Sequence, residues 1–250
     1  MKIKRFHIPV ENIADGEARL PEAEAWHLKN VLRIREGGAV EIFDGAGKAW
    51  SGRVAFRRDA VFVAELAELP APERGGAPSP RHPRLVLALA LIKPARLEWA
   101  LEKAVELGVD EFLPLQAARS EIRIPKEKLA GRLERWERIA TESAKQCRRL
   151  DLMRVRPPMA FREFCAAGEY ARFDKIMFYE KSREPWRPEL PEVGVGMALC
   201  VGPEGGWTED EVTLAEGSGC EVYGLGPRIL RAETAAIAAT AALRLTAAAR

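Results

Sequence analysis

The stretch from Pro70 to Pro83 constrains this fold more than any other part of the chain, because neither a helix nor a sheet ladder continues through it. Pro70, Pro72, Pro78, Pro80 and Pro83 lack amide donors, and Gly75 and Gly76 are costly to order. The patterns on its two sides differ, so we place a first domain at residues 1–70, a linker at 71–83 and a second domain at 84–250. A length of 250 residues exceeds the usual single-domain length of roughly 100–150 residues and accommodates both.

Before the boundary, Ala39–Phe43, Lys48–Ala55 and Ala60–Ala67 read as short strands. The first two are joined by the turn-prone Asp44-Gly45-Ala46-Gly47, and one helix is expected near Glu22–Leu32. This is a small β-rich domain. After the boundary, strands alternate with helices. Leu85–Ile92 is a continuous apolar run, as expected for a strand covered on both faces, and Val109–Leu115, Lys175–Tyr179, Met197–Val201 and Glu221–Leu225 complete five strands. Helices are predicted over Arg96–Leu107, ended by Gly108, over Lys126–Arg149, and over the alanine-rich Glu233–Arg244. Thr208, with Glu211 three residues on, reads as a capping box. The alternation predicts an α/β domain with a mainly parallel sheet flanked by helices.

Composition excludes several classes. No apolar run approaches the roughly 18 residues of a membrane span, and Met1–His7 leads into no signal-like apolar region, so the expected address is the cytosol and no membrane partner is expected. Cys147, Cys165, Cys200 and Cys220 and the histidines His7, His27 and His82 lie far apart, so neither a metal site nor a disulfide framework is expected. Net charge is only +2, yet residues 119–156 hold 12 basic and 6 acidic side chains. Part of that excess is a solvated helix face, since Arg132, Arg135 and Arg138 alternate with Glu134 and Glu137; the remainder suits a phosphate backbone.

Two loops carry the chemistry. Gly202-Pro203-Glu204-Gly205-Gly206 follows one apolar strand, and Leu225-Gly226-Pro227-Arg228-Ile229-Leu230-Arg231-Ala232-Glu233-Thr234 follows another. Both should open at the carboxyl edge of the sheet, where ligands bind. A glycine loop entering a helix ordinarily favours phosphate, but Glu204 opposes a pyrophosphate and the usual phosphate-loop patterns are missing. A cationic ligand fits better, and S-adenosylmethionine is one.

With these two loops, His27-Leu28-Lys29-Asn30-Val31-Leu32-Arg33, Lys103–Val109 and Glu142–Arg149, the chain resembles the ribosomal RNA uracil-N3 methyltransferases of the SPOUT class over nearly its whole length. The resemblance implies a PUA-like barrel as the first domain and a knotted methyltransferase domain as the second. It also implies a homodimer that uses S-adenosylmethionine to methylate N3 of a uridine in 16S rRNA of the small ribosomal subunit. In that family Gly202, Pro203, Glu204, Gly205, Gly206, Leu225, Gly226 and Leu230 would hold the cofactor.

Uracil N3 must lose a proton to become nucleophilic. Arg231 is the candidate to stabilise the resulting anion and Glu233 the candidate proton acceptor, although two residues so close in sequence are equally suited to pair with each other. Candidate RNA contacts are Arg5, Arg33, Arg119, Arg123, Arg148 and Arg149, with Gln146 able to read a base edge. His27 is expected to be a packed structural histidine and the tryptophans mostly core, with Trp207, beside the glycine loop, a contact for a flipped base. The alternatives are a non-catalytic RNA-binding ribosome-assembly factor, disfavoured by the intact loops, and a small-molecule enzyme with a nucleotide cofactor, disfavoured by the basic segment and the added β domain.

Overall fold

A computed structural model describes residues 3–58, 60–70, 83–192 and 194–248. The linker expected at 71–83 therefore lies, except for Pro83, outside the described residues. The chain divides into two compact units, Met1–Ala77 with Ala144–Leu152, and Pro78–Ser143 with Met153–Arg250.

The first unit contains β1 (Lys4–His7), β2 (Ile13–Ala14), β3 (Glu17–Arg19), α1 (Glu22–Trp26), β4 (Ala39–Phe43), β5 (Ala49–Arg57) and β6 (Ala60–Glu68). Its sheet runs β1-β4-β5-β6-β3-β2, with β1 parallel to β4 and the other pairs antiparallel. Alternate residues turn inward, placing Phe6, Ile42, Val54 and Val63 in one core with Ile8 and Leu28. The expected helix at 22–32 is not uniform. After α1 the backbone widens to a π-helix over His27–Val31, where the Leu32 amide bonds the His27 carbonyl at 3.0 Å. Only Leu28 of that turn is buried, so His27 is exposed rather than packed, and Trp26 is 61% exposed rather than core.

The second unit holds β7 (Leu85–Ala90), α2 (Pro94–Glu106), β8 (Glu111–Gln116), α3 (Lys126–Cys147, whose last residues count with the first unit), β9 (Arg154–Val155), β10 (Met159–Ala160) and α4 (Phe161–Ala166). It continues with β11 (Phe173–Phe178), β12 (Gly196–Val201), α5 (Glu209–Gly217), β13 (Cys220–Tyr223) and α6 (Ala232–Ala248). The sheet order is β10-β8-β7-β12-β11-β13, with β9 also on β8, and every pairing is parallel. All five expected strands are present. The additional β9 and β10 are two-residue strands, too short to leave a periodicity, and α4 is a six-residue helix whose Phe161, Phe164 and Cys165 are buried. β7 and β12 are buried at every position, which is why both read as unbroken apolar runs.

Trp136 is 3% exposed on α3, whereas Trp99 on α2 is 48% exposed, against the expectation of a core residue. Among the described residues no helix is long and apolar enough to cross a membrane. Register positions the functional edge. Phe178 of β11 pairs with Val201 of β12 and with Tyr223 of β13, so Tyr179, Gly202 and Gly224 all leave the sheet at one level.

Candidate functional site

Three strand ends, not two, surround a cavity of 390 Å³ at that edge. Its wall includes the Gly202–Gly206 loop and the Gly224–Ala232 segment, and also Phe178, Tyr179 and Glu180 at the end of β11. Every cofactor residue expected from sequence, Gly202, Pro203, Glu204, Gly205, Gly206, Leu225, Gly226 and Leu230, lies on this wall together with Arg231. Glu180 was missed. The signal for it was its place two residues beyond a central strand, level with the glycine loop.

The first loop is laced from several sides. Arg119 Nη1 donates to the carbonyls of Gly205 at 3.1 Å and Trp207 at 3.3 Å. The capping box forms as expected: Glu211 Oε2 accepts from the Thr208 amide at 2.9 Å, and the Glu211 amide donates to Thr208 Oγ1 at 3.2 Å. The other oxygen of Glu211 accepts from the Ala118 amide at 2.8 Å, so the cap of α5 also holds the turn that carries Arg119. Glycine is needed here for two reasons. A Cβ on Gly202 would lie 3.0 Å from the buried Trp207 indole, and Gly206 has a φ of +68°, although its Cβ would meet only the movable end of the exposed Glu180 side chain.

Trp207 itself is 1% exposed, donates its indole N–H to the Phe178 carbonyl at 3.0 Å, and packs 4.7 Å from the Phe161 ring centroid. A stacking partner for a flipped base needs an accessible face, so the expected base contact gives way to a structural role. The second loop is more open: Arg228 and Arg231 are exposed, and Ile229 is 83% exposed.

Glu233 does not pair with its neighbour Arg231. It is 5% exposed at the start of α6, with Oε1 3.6 Å from Arg96 Nε on α2. Arg96 Nη1 also approaches Glu204 Oε1 at 3.4 Å. Glu233 is not on the cavity wall.

The candidate RNA contacts fall in different surroundings. Arg33, Arg123 and Gln146 are exposed, and Arg33 has a positive φ of 52°. Arg148, also exposed, is bonded through Nη2 to both oxygens of Glu41 at 2.9 and 2.7 Å. Arg5 lies 4.4 Å over the Phe43 ring, and burial lowers its pKa from the ordinary arginine value, against the opposing pull of Glu41. Its Nε and Nη2 are buried without a hydrogen-bond partner. Arg149 is 7% exposed and bonded to Asp151 at 2.6 Å. Arg119 is committed to the glycine loop as described. Among the described residues no group of three or more His, Cys, Asp or Glu side chains is arranged to hold a metal ion.

Comparison with known proteins matches this architecture. Residues 79–244 fit the family model of the RNA methyltransferase domain, and residues 20–65 that of the RNA methyltransferase PUA domain. The ribosomal RNA small subunit methyltransferase E of Bacillus subtilis is 33% identical, the alignment covering 88% of this chain and 86% of the relative. That of Synechocystis is 32% identical, over 95% of this chain and 76% of the relative. Among solved structures, the small subunit methyltransferase E of Neisseria gonorrhoeae bound to S-adenosylmethionine superimposes with a TM-score of 0.84 at 30% identity, covering 98% of each chain. A methyltransferase of Legionella pneumophila with bound S-adenosylmethionine has the same TM-score at 29% identity, again covering 98% of each chain. A PUA-type first unit, a parallel-sheet methyltransferase unit with a glycine-lined edge cavity, and relatives matched end to end leave one assignment: this chain belongs to the RNA methyltransferase family that includes the ribosomal RNA small subunit methyltransferases E.

Proposed function

We propose that the chain binds S-adenosylmethionine in the edge cavity and methylates N3 of a uridine in 16S rRNA, acting on assembled small subunits. The observation that carries this reading is the cavity itself. Its wall combines glycine backbone, open to close approach, with the carboxylates of Glu180 and Glu204 and the guanidiniums of Arg228 and Arg231, a mixed lining that suits a zwitterionic ligand such as S-adenosylmethionine better than a pyrophosphate. Glycines 202, 205 and 206 would admit the cofactor's flat ring system, and the second loop would close its other side. When bound, the cofactor supplies an electrophilic methyl group on a sulfonium.

The chain's own task is then to orient the acceptor and favour its deprotonated form. Arg231, exposed on the cavity wall, is suited to donate to the uracil oxygen that gains charge as N3 ionises. Glu233, the sequence candidate for proton acceptor, has its carboxylate turned to Arg96, which favours a supporting role. A Glu233→Gln variant that keeps the wild-type pH profile in single turnover would remove it from proton transfer.

For RNA, Arg5, Arg33, Arg123, Gln146 and Arg148 remain the proposed contacts, with Arg119 and Arg149 serving the protein's own structure. Replacing Arg33 and Arg123 by glutamine should flatten the slope of log affinity against log salt by about 1 to 2. An unchanged slope would assign both residues to solubility. A homodimer, a trefoil knot in the second unit and a cytosolic location complete the reading.

The deciding experiment is calorimetric titration of the purified chain with S-adenosylmethionine and its demethylated product, followed by incubation with undermethylated small subunits and mapping of the methyl group. Micromolar binding and a methyl on uracil N3 are expected. No affinity for either ligand would overturn the cofactor assignment, and a methyl elsewhere would overturn the target.

A further inference from the structure

Glu233 holds a carboxylate in a place that is costly for one. It is 5% exposed, its Oε2 is buried without a hydrogen-bond partner, and its Oε1 has Arg96 Nε at 3.6 Å. Such a charge is expensive to bury, and its retention calls for an explanation beyond packing. Arg96 supplies one. It stands in the first turn of α2, and its guanidinium also reaches Glu204 in the glycine loop at 3.4 Å. One cation therefore spans a carboxylate from each of the two loops that wall the cavity. Both separations exceed the roughly 2.7–2.9 Å of a committed charge-assisted bond, so the cation is shared between them.

We propose that Arg96 is a positioning residue for the cofactor cavity, tying the Glu204 loop to the Glu233 end of α6 so that the two loops adopt their binding arrangement together. The proposal rests on the cofactor reading of the cavity. Neither Arg96 nor Glu233 is on the cavity wall, whereas Glu204, Arg231, Ala232 and Ala235 are, so the effect is transmitted through those neighbours. Glu233 is then the fixed anchor of the second loop and Glu204 its counterpart on the first. An arginine suits the task because its planar fork presents separate N–H groups to two acceptors, which a lysine ammonium does less well.

The test is calorimetric affinity for S-adenosylhomocysteine, with melting temperature recorded in parallel. Arg96→Gln should weaken binding about tenfold and Arg96→Lys about threefold, the lysine rescuing part of the loss. The double variant Arg96→Gln/Glu233→Gln should bind no more weakly than Arg96→Gln alone, because it removes the stranded carboxylate together with its partner. Additive losses, or wild-type affinity in Arg96→Gln, would overturn the proposal while leaving the cofactor reading intact. Absence of binding by the wild-type chain would overturn both. If Arg96→Gln does not fold, a cycle of Arg96→Lys against Glu204→Gln reads the same coupling, and additive losses there overturn the tie between the loops.

Discussion

The two loops of the cavity differ in glycine content, three of five residues in Gly202–Gly206 against two of nine in Gly224–Ala232, and in their support. Arg119, Trp207 and the α5 cap hold the Gly202–Gly206 loop, and added Cβ atoms would meet neighbours there at 2.6 to 3.1 Å. The second loop has Gly226 at φ +103° with nothing within 4 Å of an added Cβ, and its Ile229 stands in solvent. Space demands glycine at Gly202 and at Gly224, whose added Cβ would lie 2.7 Å from the Ser182 carbonyl oxygen, whereas Gly206 and Gly226 serve backbone conformation at φ +68° and +103°. A wall braced along its length thus faces one held at its two ends, by the Gly224 backbone bonds and by Glu233, with an exposed tip between, an arrangement suited to a site that must hold one ligand while admitting a nucleotide.

The contrast breaks first at Arg119. Arg119→Ala removes a charged donor from two carbonyls and should weaken cofactor binding by roughly 10- to 100-fold; calorimetry that shows less than a twofold change would deny the first loop its bracing. Next in size is Gly224→Ala, whose Cβ would lie 2.7 Å from the Ser182 carbonyl oxygen, a backbone atom that cannot swing aside. It should lose about 1–3 kcal/mol in denaturant stability along with cofactor affinity. Trp207→Phe tests the packing behind the first loop, since it shrinks a buried bicyclic indole to one ring and deletes the N–H bonded to Phe178. Its melting temperature should fall by about 4–8 °C, the sum of a lost hydrogen bond and a partial cavity. Gly226→Ala sharpens the comparison because it carries backbone strain without a collision, and a loss of about 1 kcal/mol is expected. A Gly226 variant more damaging than the Gly224 variant would reverse the assignment of space and conformation.

Legibility in the sequence followed the range of the interaction. β4 appears with the expected ends because its alternation and the adjoining turn are local. The capping box of Thr208 and Glu211 was readable for the same reason, its partners being three residues apart. β9 and β10 were not, since two residues cannot display a period. The tryptophans misled because size and apolarity do not reveal which side of a helix is covered: Trp99 and Trp136 both lie on helices, one at 48% exposure and the other at 3%. The arginines show the same limit. Charge counting makes Arg119 and Arg149 candidates for RNA, but it does not reveal that one bonds loop carbonyls and the other Asp151.

By itself, the sequence determined the α/β character of the second unit, the β-rich first unit, and the two glycine loops at strand ends, since each depends on propensities and spacings within a few residues. Only the tertiary structure decided that Glu180 completes the wall, that Arg119 braces the first loop, and that Arg96 reaches both Glu204 and Glu233. Arg96 and Glu204 are 108 positions apart. Contacts at that distance arise from the order and register of parallel strands, and no local pattern in the chain records them.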